Sequence, residues 1–199
     1  ISGSVFIPIE PNNKKYIQNR AKIFKFNDLK NEGSFLAIRM EGSKKSIDER
    51  IRDLTIELDL KNKKKSLLDV HQSLLFWERI NNLEIFSNTK NALVRVVIPP
   101  SKCINLMKYL DHSYKYYIDW CGSLFWIEVL EEENIQIKEM KETIINLGGY
   151  LTIVKKSESL SSDIDLFTIN DTRLLLSQKI KESFDPKKLL NPGKMYRGL

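Results

Sequence analysis

The stretch NALVRVVIPPS, Asn91 to Ser101, decides the fold. Ala92, Val94, Val96 and Ile98 alternate with Leu93, Arg95 and Val97, the period of a strand with one face turned to a core. Pro99-Pro100 stops it, because neither residue can donate to a ladder. Ser101 then reads as the cap of a helix, Lys102 to Leu110, with Ile104, Met107 and, at its edge, Leu110 turned inward. Tyr114 to Trp120 and Ser123 to Leu130 read as two strands joined through Trp120-Cys121-Gly122 into a hairpin. Asn134 reads as the cap of a helix, Ile135 to Leu147, with Ile137, Met140, Ile144 and Leu147 on one face. Gly148-Gly149 supplies its left-handed end, and Tyr150 to Val154 returns as a strand. The order β-α-β-β-α-β is the split βαβ pattern of a ferredoxin-like unit.

Upstream, Ser4 to Ile9 reads as a strand closed by Pro8 and Pro11, followed by a loop at Asn12 to Lys15 and a short strand at Lys22 to Phe26. Phe35 to Met40 is a strand with Leu36, Ile38 and Met40 on one face. Glu41-Gly42-Ser43 turns it into a helix, Lys44 to Leu58, whose Ile47, Ile51, Leu54 and Leu58 share a side. Ser43 or Ser46 caps that helix, and Ser46 with Glu49 fits a capping box. Lys61 to Lys65 is a solvated loop before a second helix, Leu67 to Ile80, with Leu67, Val70, Leu74, Trp77 and, at its end, Ile80 along one side. Residues 155–165, rich in Ser and charge, read as an exposed loop. These elements predict an α+β fold: an antiparallel sheet covered on one face by helices, extended by the earlier strands. Without a repeat or a low-complexity linker, residues 1–199 read as a single domain.

A hydrophobic share of 42% is that of a globular chain. No run of eighteen apolar residues occurs, so no transmembrane segment is expected. The opening, Ile1 to Pro8, lacks the parts of a signal peptide. It enters a strand at once and without Met, as a piece of a longer protein would. The net charge is +6, yet the lysines are scattered and no basic stripe interleaves with aromatics, which argues against nucleic acid. Cys103 and Cys121 are too few for a disulfide framework, and with His71 and His112 they form no metal-ligand spacing. They read as reduced thiols of a cytosolic protein.

No Gly-rich phosphate cradle, nucleophile elbow or H-E-x-x-H can be written, and Glu131-Glu132-Glu133 reads as a solvated turn. The concentrated oddity is Asp119-Trp120-Cys121-Gly122-Ser123-Leu124-Phe125-Trp126 beside Arg95. Two tryptophans around a small-residue turn can line a flat ligand, and an arginine can grip a carboxylate with two hydrogen bonds. The alternative is that Trp126 is core and Arg95 meets Asp119 or water. A second oddity is the tail, Phe184-Asp185-Pro186 followed by Asn191-Pro192-Gly193-Lys194-Met195, where Pro186 ends a helix, Asp171 to Ser183, and Pro192-Gly193 makes a rigid turn with little side-chain cover.

That tail resembles the end of flavin-linked oxidases of the vanillyl-alcohol oxidase type. Ser2-Gly3-Ser4, Ile38 to Ser43, the Phe76-Trp77 helix, Leu93 to Val96 with Pro99, Asp119 to Gly122 with Trp126, Gly148-Gly149 and Lys181 to Met195 follow in the order expected of one branch. Together they are similar to the C-terminal part of the FAD-binding subunit of bacterial glycolate oxidase (glycolate dehydrogenase). The resemblance implies a cap domain whose N-terminal FAD-binding domain lies outside this chain. It implies oxidation of a small 2-hydroxy acid to a 2-oxo acid, or relay of its electrons through FAD. The implied partners are a second flavin subunit and an iron–sulfur subunit. The implied place is the cytoplasm, with peripheral attachment to the inner membrane through the complex as the alternative. Catalytic relatives carry a His-rich cap motif that this chain lacks, which favours the relay role; Cys121 stands where the family often has a second Gly. Arg95, Asp119, Trp120 and Trp126 become substrate-binding candidates, and Asn191, Pro192 and Gly193 would approach the cofactor. The competing reading is a non-catalytic scaffold in the same complex.

Overall fold

The computed structural model describes residues 1–8, 33–63, 65–110, 114–129, 133–194 and 196, which form two compact units, 1–88 and 89–199. The expected loop at Asn12 to Lys15, the expected strand at Lys22 to Phe26, His112 and most of the acidic turn at Glu131 lie outside the described residues.

In the first unit β1 (Gly3–Ile7) and β2 (Phe35–Arg39) pair antiparallel, with Val5 opposite Ala37. Helix α1 (Lys44–Glu57) starts at Ser43, whose hydroxyl accepts the Ser46 N–H. Ser43 is therefore the cap, and the box expected from Ser46 and Glu49 is not the start of the helix. None of the residues of α1 is buried. Helix α2 (Val70–Asn81) begins three residues later than its apolar pattern suggests, because Asp69 and Gln72 form a reciprocal box: Asp69 Oδ1 accepts Gln72 N–H at 2.8 Å, and Gln72 Oε1 accepts Asp69 N–H at 3.0 Å. Its inner face is Phe76, Trp77 and Ile80, whereas Leu67, Val70 and Leu74 are exposed, a correction to the predicted face. The bulkiest side chains take the inside. Trp77 lies on Gly3, where a Cβ would come within 3.3 Å of the indole, and Phe76 meets Trp77 edge-on at 5.2 Å.

The second unit runs β3 (Ala92–Val97), α3 (Cys103–Leu110), β4 (Lys115–Asp119), β5 (Leu124–Val129), α4 (Glu133–Asn146), β6 (Tyr150–Lys155) and α5 (Asp171–Phe184). Its strands lie in the order β4-β5-β3-β6, every pair antiparallel. For a β-α-β-β-α-β chain that is the ferredoxin-like arrangement, and the fold class is α+β as the sequence predicts. Ala92, Val94 and Val96 share a buried face with Tyr116, Ile118, Phe125, Ile127, Leu151 and Ile153. Helix α4 packs on β5 and β6 and buries Ile137, Met140 and Ile144 completely, each such side chain worth about 1.5–3 kcal/mol relative to exposure.

Four local predictions are corrected here. Residues Pro100–Lys102 form a 3-10 turn without a side-chain cap, so Ser101 does not open the helix. The tighter turn shifts the phase of α3, so Leu106 joins Leu110 in the core while Ile104 is 60% exposed. Asn134 sits inside α4 rather than at its cap, and its carboxamide accepts Ser161 N–H at 2.8 Å. Residues 155–165 are accordingly not all exposed: Leu160 and Ile164 are buried.

Gly148 ends α4 at φ +77°, as its sequence position predicts. Gly149 serves packing instead, since a Cβ there would lie 2.5 Å from Val97 O and from Ile98 Cγ2. Helix α5 begins at Asn170, whose Oδ1 accepts Arg173 N–H at 2.9 Å, and ends at Asp185, which Pro186 holds out of the helical region (φ −140°, ψ 62°).

Candidate functional site

Register across the four strands of the second unit puts Tyr117, Trp126, Arg95 and Thr152 in one row, on the face opposite the α4 core. An isolated bridge adds Phe167 beside Thr152. Tyr117 is fully buried, and burial followed by the charge of Asp119 pushes its hydroxyl far up, so it stays a neutral group. Trp126, Arg95 and Thr152 are half-buried.

Trp120 reaches the same place by a different route. Trp120, Cys121 and Gly122 have φ of +50°, +51° and +94°, a left-handed turn closed by Ser123 N–H donating to Trp120 O at 3.2 Å. Left-handed backbone costs a non-glycine residue about 1–2 kcal/mol. The Asp119 carboxylate helps hold it by accepting the Trp120 N–H at 2.7 Å. Burial raises the Asp119 carboxyl, and that hydrogen bond works against the rise. Trp120 is thereby set under the Arg95 guanidinium, whose carbon stands 5.2 Å from the ring centroid. Of the four residues predicted to bind substrate, Arg95, Trp120 and Trp126 come together. Asp119 serves the turn, with one oxygen already engaged.

One pair along the same face, Lys115 lies opposite Glu128, and the two form a buried ion pair at 2.9 Å. Glu128 Oε1 also accepts Thr89 Oγ1–H and, at 2.8 Å, Asn91 Nδ2–H. Burial alone would raise the Glu128 carboxyl, but Lys115, Thr89 and Asn91 together bring it below the usual range. The pair is a structural clasp between β4 and β5.

Beyond Phe167 the row meets the tail, because the Phe167 ring lies 5.8 Å from Tyr196. Tyr196, Asn191 and Lys194 line a crevice of about 570 Å³ with Ile180, Phe184 and Leu190. Asp185 builds that crevice. Its Oδ1 and Oδ2 accept Leu189 and Leu190 N–H at 2.9 Å each, and Lys181 meets it at 2.7 Å while also donating to Leu190 O. Asn191, Pro192 and Gly193 are exposed, Asn191 and Gly193 at φ +47° and +67°, and nothing lies within 4 Å of a Cβ at Gly193. Such an open backbone turn suits the edge of a planar cofactor. It offers no phosphate cradle. Sequence reasoning had not singled out Thr152, Phe167, Arg173 and Tyr196. Alternation along β6 is the signal that puts Thr152 opposite the core.

Among the described residues no three His, Cys, Asp or Glu side chains are placed to hold a metal, and no helix is long and apolar enough to cross a membrane. Cys103 packs against Gly122, and burial raises its thiol.

No protein-family model matches the sequence. Over 125 residues, 62% of this chain, it is 26% identical to glycolate oxidase subunit GlcE of Escherichia coli (strain K12). The matched stretch covers 32% of that protein, so the chain spans about a third of the length of the curated relative it matches. The similarity supports a distant relation of this chain to the family of that subunit.

Proposed function

We propose that this chain is the cap portion of an FAD-dependent 2-hydroxy-acid oxidoreductase subunit of the glycolate oxidase kind. Its open face, Arg95 with Trp120 and Trp126, receives the substrate carboxylate. The observation that carries the reading is Arg95. Its guanidinium is pre-oriented on an indole, half-buried, and without a carboxylate partner among the described residues. A guanidinium so held loses little freedom on forming two parallel hydrogen bonds to a carboxylate.

FAD, held mainly by another part of a longer subunit, supplies the two-electron acceptor chemistry. The residues of this chain bind and orient the acid and exclude water from one side. Asn191, Pro192 and Gly193 touch the cofactor edge. Tyr117 on the face stays neutral, and one oxygen of the Asp119 carboxylate is engaged by the Trp120 N–H. The other branch of the same reading is relay, in which a second flavin subunit oxidises the acid, an iron–sulfur subunit takes the electrons onward, and the Arg95 face holds no substrate. Localisation in the cytoplasm, with membrane attachment only through the complex, belongs to the same proposal.

A second reading, a scaffold in that complex, draws support from α5. None of its residues is buried, and Leu176, Ile180 and Phe184 form an exposed apolar stripe. The two are separated by the visible spectrum of the full-length subunit, titrated anaerobically with glycolate with and without its partners. Flavin absorbance that bleaches, alone or once partners are added, supports the oxidoreductase reading. A colourless protein after FAD addition overturns it and leaves the scaffold.

A further inference from the structure

We infer that the ligand of this face is a small dianion, a 2-hydroxy acid carrying a second acidic group, bound by Arg95 at one end and Arg173 at the other. The inference rests on the reading of Arg95 above and adds a second anchor to it. Arg173 lines a hollow of about 270 Å³ with Tyr150, Thr152, Phe167 and Tyr196. Thr152 is the register partner of Arg95 on the adjacent strand, so the hollow begins one strand spacing, about 4.8 Å, from the first arginine.

Three features give the hollow the chemistry of an anion subsite. Among the described residues Arg173 has no carboxylate partner, as Arg95 has none. The backbone of Arg173 is fixed in the first turn of α5 by the Asn170 cap, so its side chain starts from a set position. Phe167 and Tyr196, with ring centroids 5.8 Å apart, form its walls, and Thr152 is both a lining residue and the register partner of Arg95. Thr168, by contrast, is engaged with the Leu151 backbone and contributes only wall.

The lysine-rich crevice elsewhere in this unit is different in kind. Glu158 stands among Lys90, Lys155 and Lys156, and Lys155 donates to Thr89 O, so that surface already holds a carboxylate of its own. At Arg95 and Arg173 no carboxylate lies within ion-pair distance among the described residues. A monocarboxylate would match one guanidinium and leave the other open, whereas a 2-hydroxy dicarboxylate matches both.

Binding of malate and of glycolate to the full-length subunit, followed by tryptophan fluorescence, tests this, because Trp120 and Trp126 adjoin Arg95. Malate is expected to bind about tenfold or more tightly than glycolate. Arg173→Gln should bring malate down to the glycolate level, Arg173→Lys should keep part of the advantage, and Arg95→Gln should weaken both acids. Equal affinity for the two acids, or an Arg173→Gln chain that still prefers malate, overturns the dianion assignment while glycolate binding through Arg95 stands. If neither acid binds and Arg95→Gln changes nothing, the Arg95 reading falls and takes this inference with it.

Discussion

The Arg95 guanidinium carbon stands 5.2 Å from the centroid of the Trp120 ring, although Arg95 lies on β3 and Trp120 in the left-handed turn between β4 and β5. The contact costs a strained turn and gives little stability in return, since an exposed cation–π pair is worth about 0.5–1 kcal/mol. Trp120→Leu is therefore expected to change unfolding free energy by less than about 1 kcal/mol. Over the same change the Arg95 Nε–H resonance should lose its ring-current shift. An Arg95 signal that does not move on substitution would mean that the stack is not populated in solution.

The Lys115–Glu128 clasp behaves in the opposite way. Removing one partner leaves a buried charge, so Lys115→Met should cost about 3–5 kcal/mol in denaturant unfolding. Replacing both, Lys115→Met with Glu128→Leu, should recover most of that loss, because an apolar pair avoids the desolvation of two ions. Thr89 and Asn91 would then lose their acceptor, which is why full recovery is not expected.

The order of elements from Asn91 to Val154 was legible because alternation and Gly/Pro punctuation agree there. The faces of α2 and α3 were not. In α2 the stripe that begins at Leu67, Val70 and Leu74 is buried only at its end, at Trp77 and Ile80, where Phe76 joins it and Trp77 fits onto Gly3. In α3 a 3-10 start moved the helical phase, which periodicity counted from Ser101 cannot detect. Arg95 and Trp126 stand out as residue types, but their sharing a face depends on the length of the Trp120 to Ser123 turn, which sets the register. Phe167 and Arg173 join the row through contacts far apart in sequence, and no local pattern signals that. Cys121 has a physical account: at φ +51° and ψ +40° it occupies backbone that glycine would take more cheaply.

Acid should loosen the tail before it unfolds the core. The Asp185 carboxyl is held down to about 2 from an ordinary 3.8, first by Lys181 and then by the Leu190 and Leu189 N–H groups. Because the unfolded chain takes up that proton at higher pH than the native one, the contribution of Asp185 is full above about pH 4 and is lost as pH falls through 2. Carboxyl NMR titration should place the Asp185 midpoint near the bottom of that range, with Leu189 and Leu190 amide protection following it. Asp185→Asn should remove this pH dependence and open the crevice at Tyr196. A midpoint near 4 would show that the staple does not form.

Three glycines separate packing from backbone conformation. At Gly149 a Cβ would meet Val97 O and Ile98 Cγ2, both at 2.5 Å, and the first is a backbone atom of a central strand that cannot move aside alone. Gly149→Ala should therefore cost about 3 kcal/mol, the upper part of the overpacking range. At Gly193 there is open space but φ is +67°, so Gly193→Ala should cost about 1 kcal/mol, from strain alone. Gly33 has neither obstacle, and its change to Ala should be neutral or slightly stabilising through the unfolded chain. Denaturant midpoints of the three variants test the ranking Gly149, then Gly193, then Gly33. If Gly149→Ala is no worse than Gly193→Ala, then β3 and the end of α4 are not packed as closely as these distances require, and the register that sets Arg95 beside Thr152 is in error.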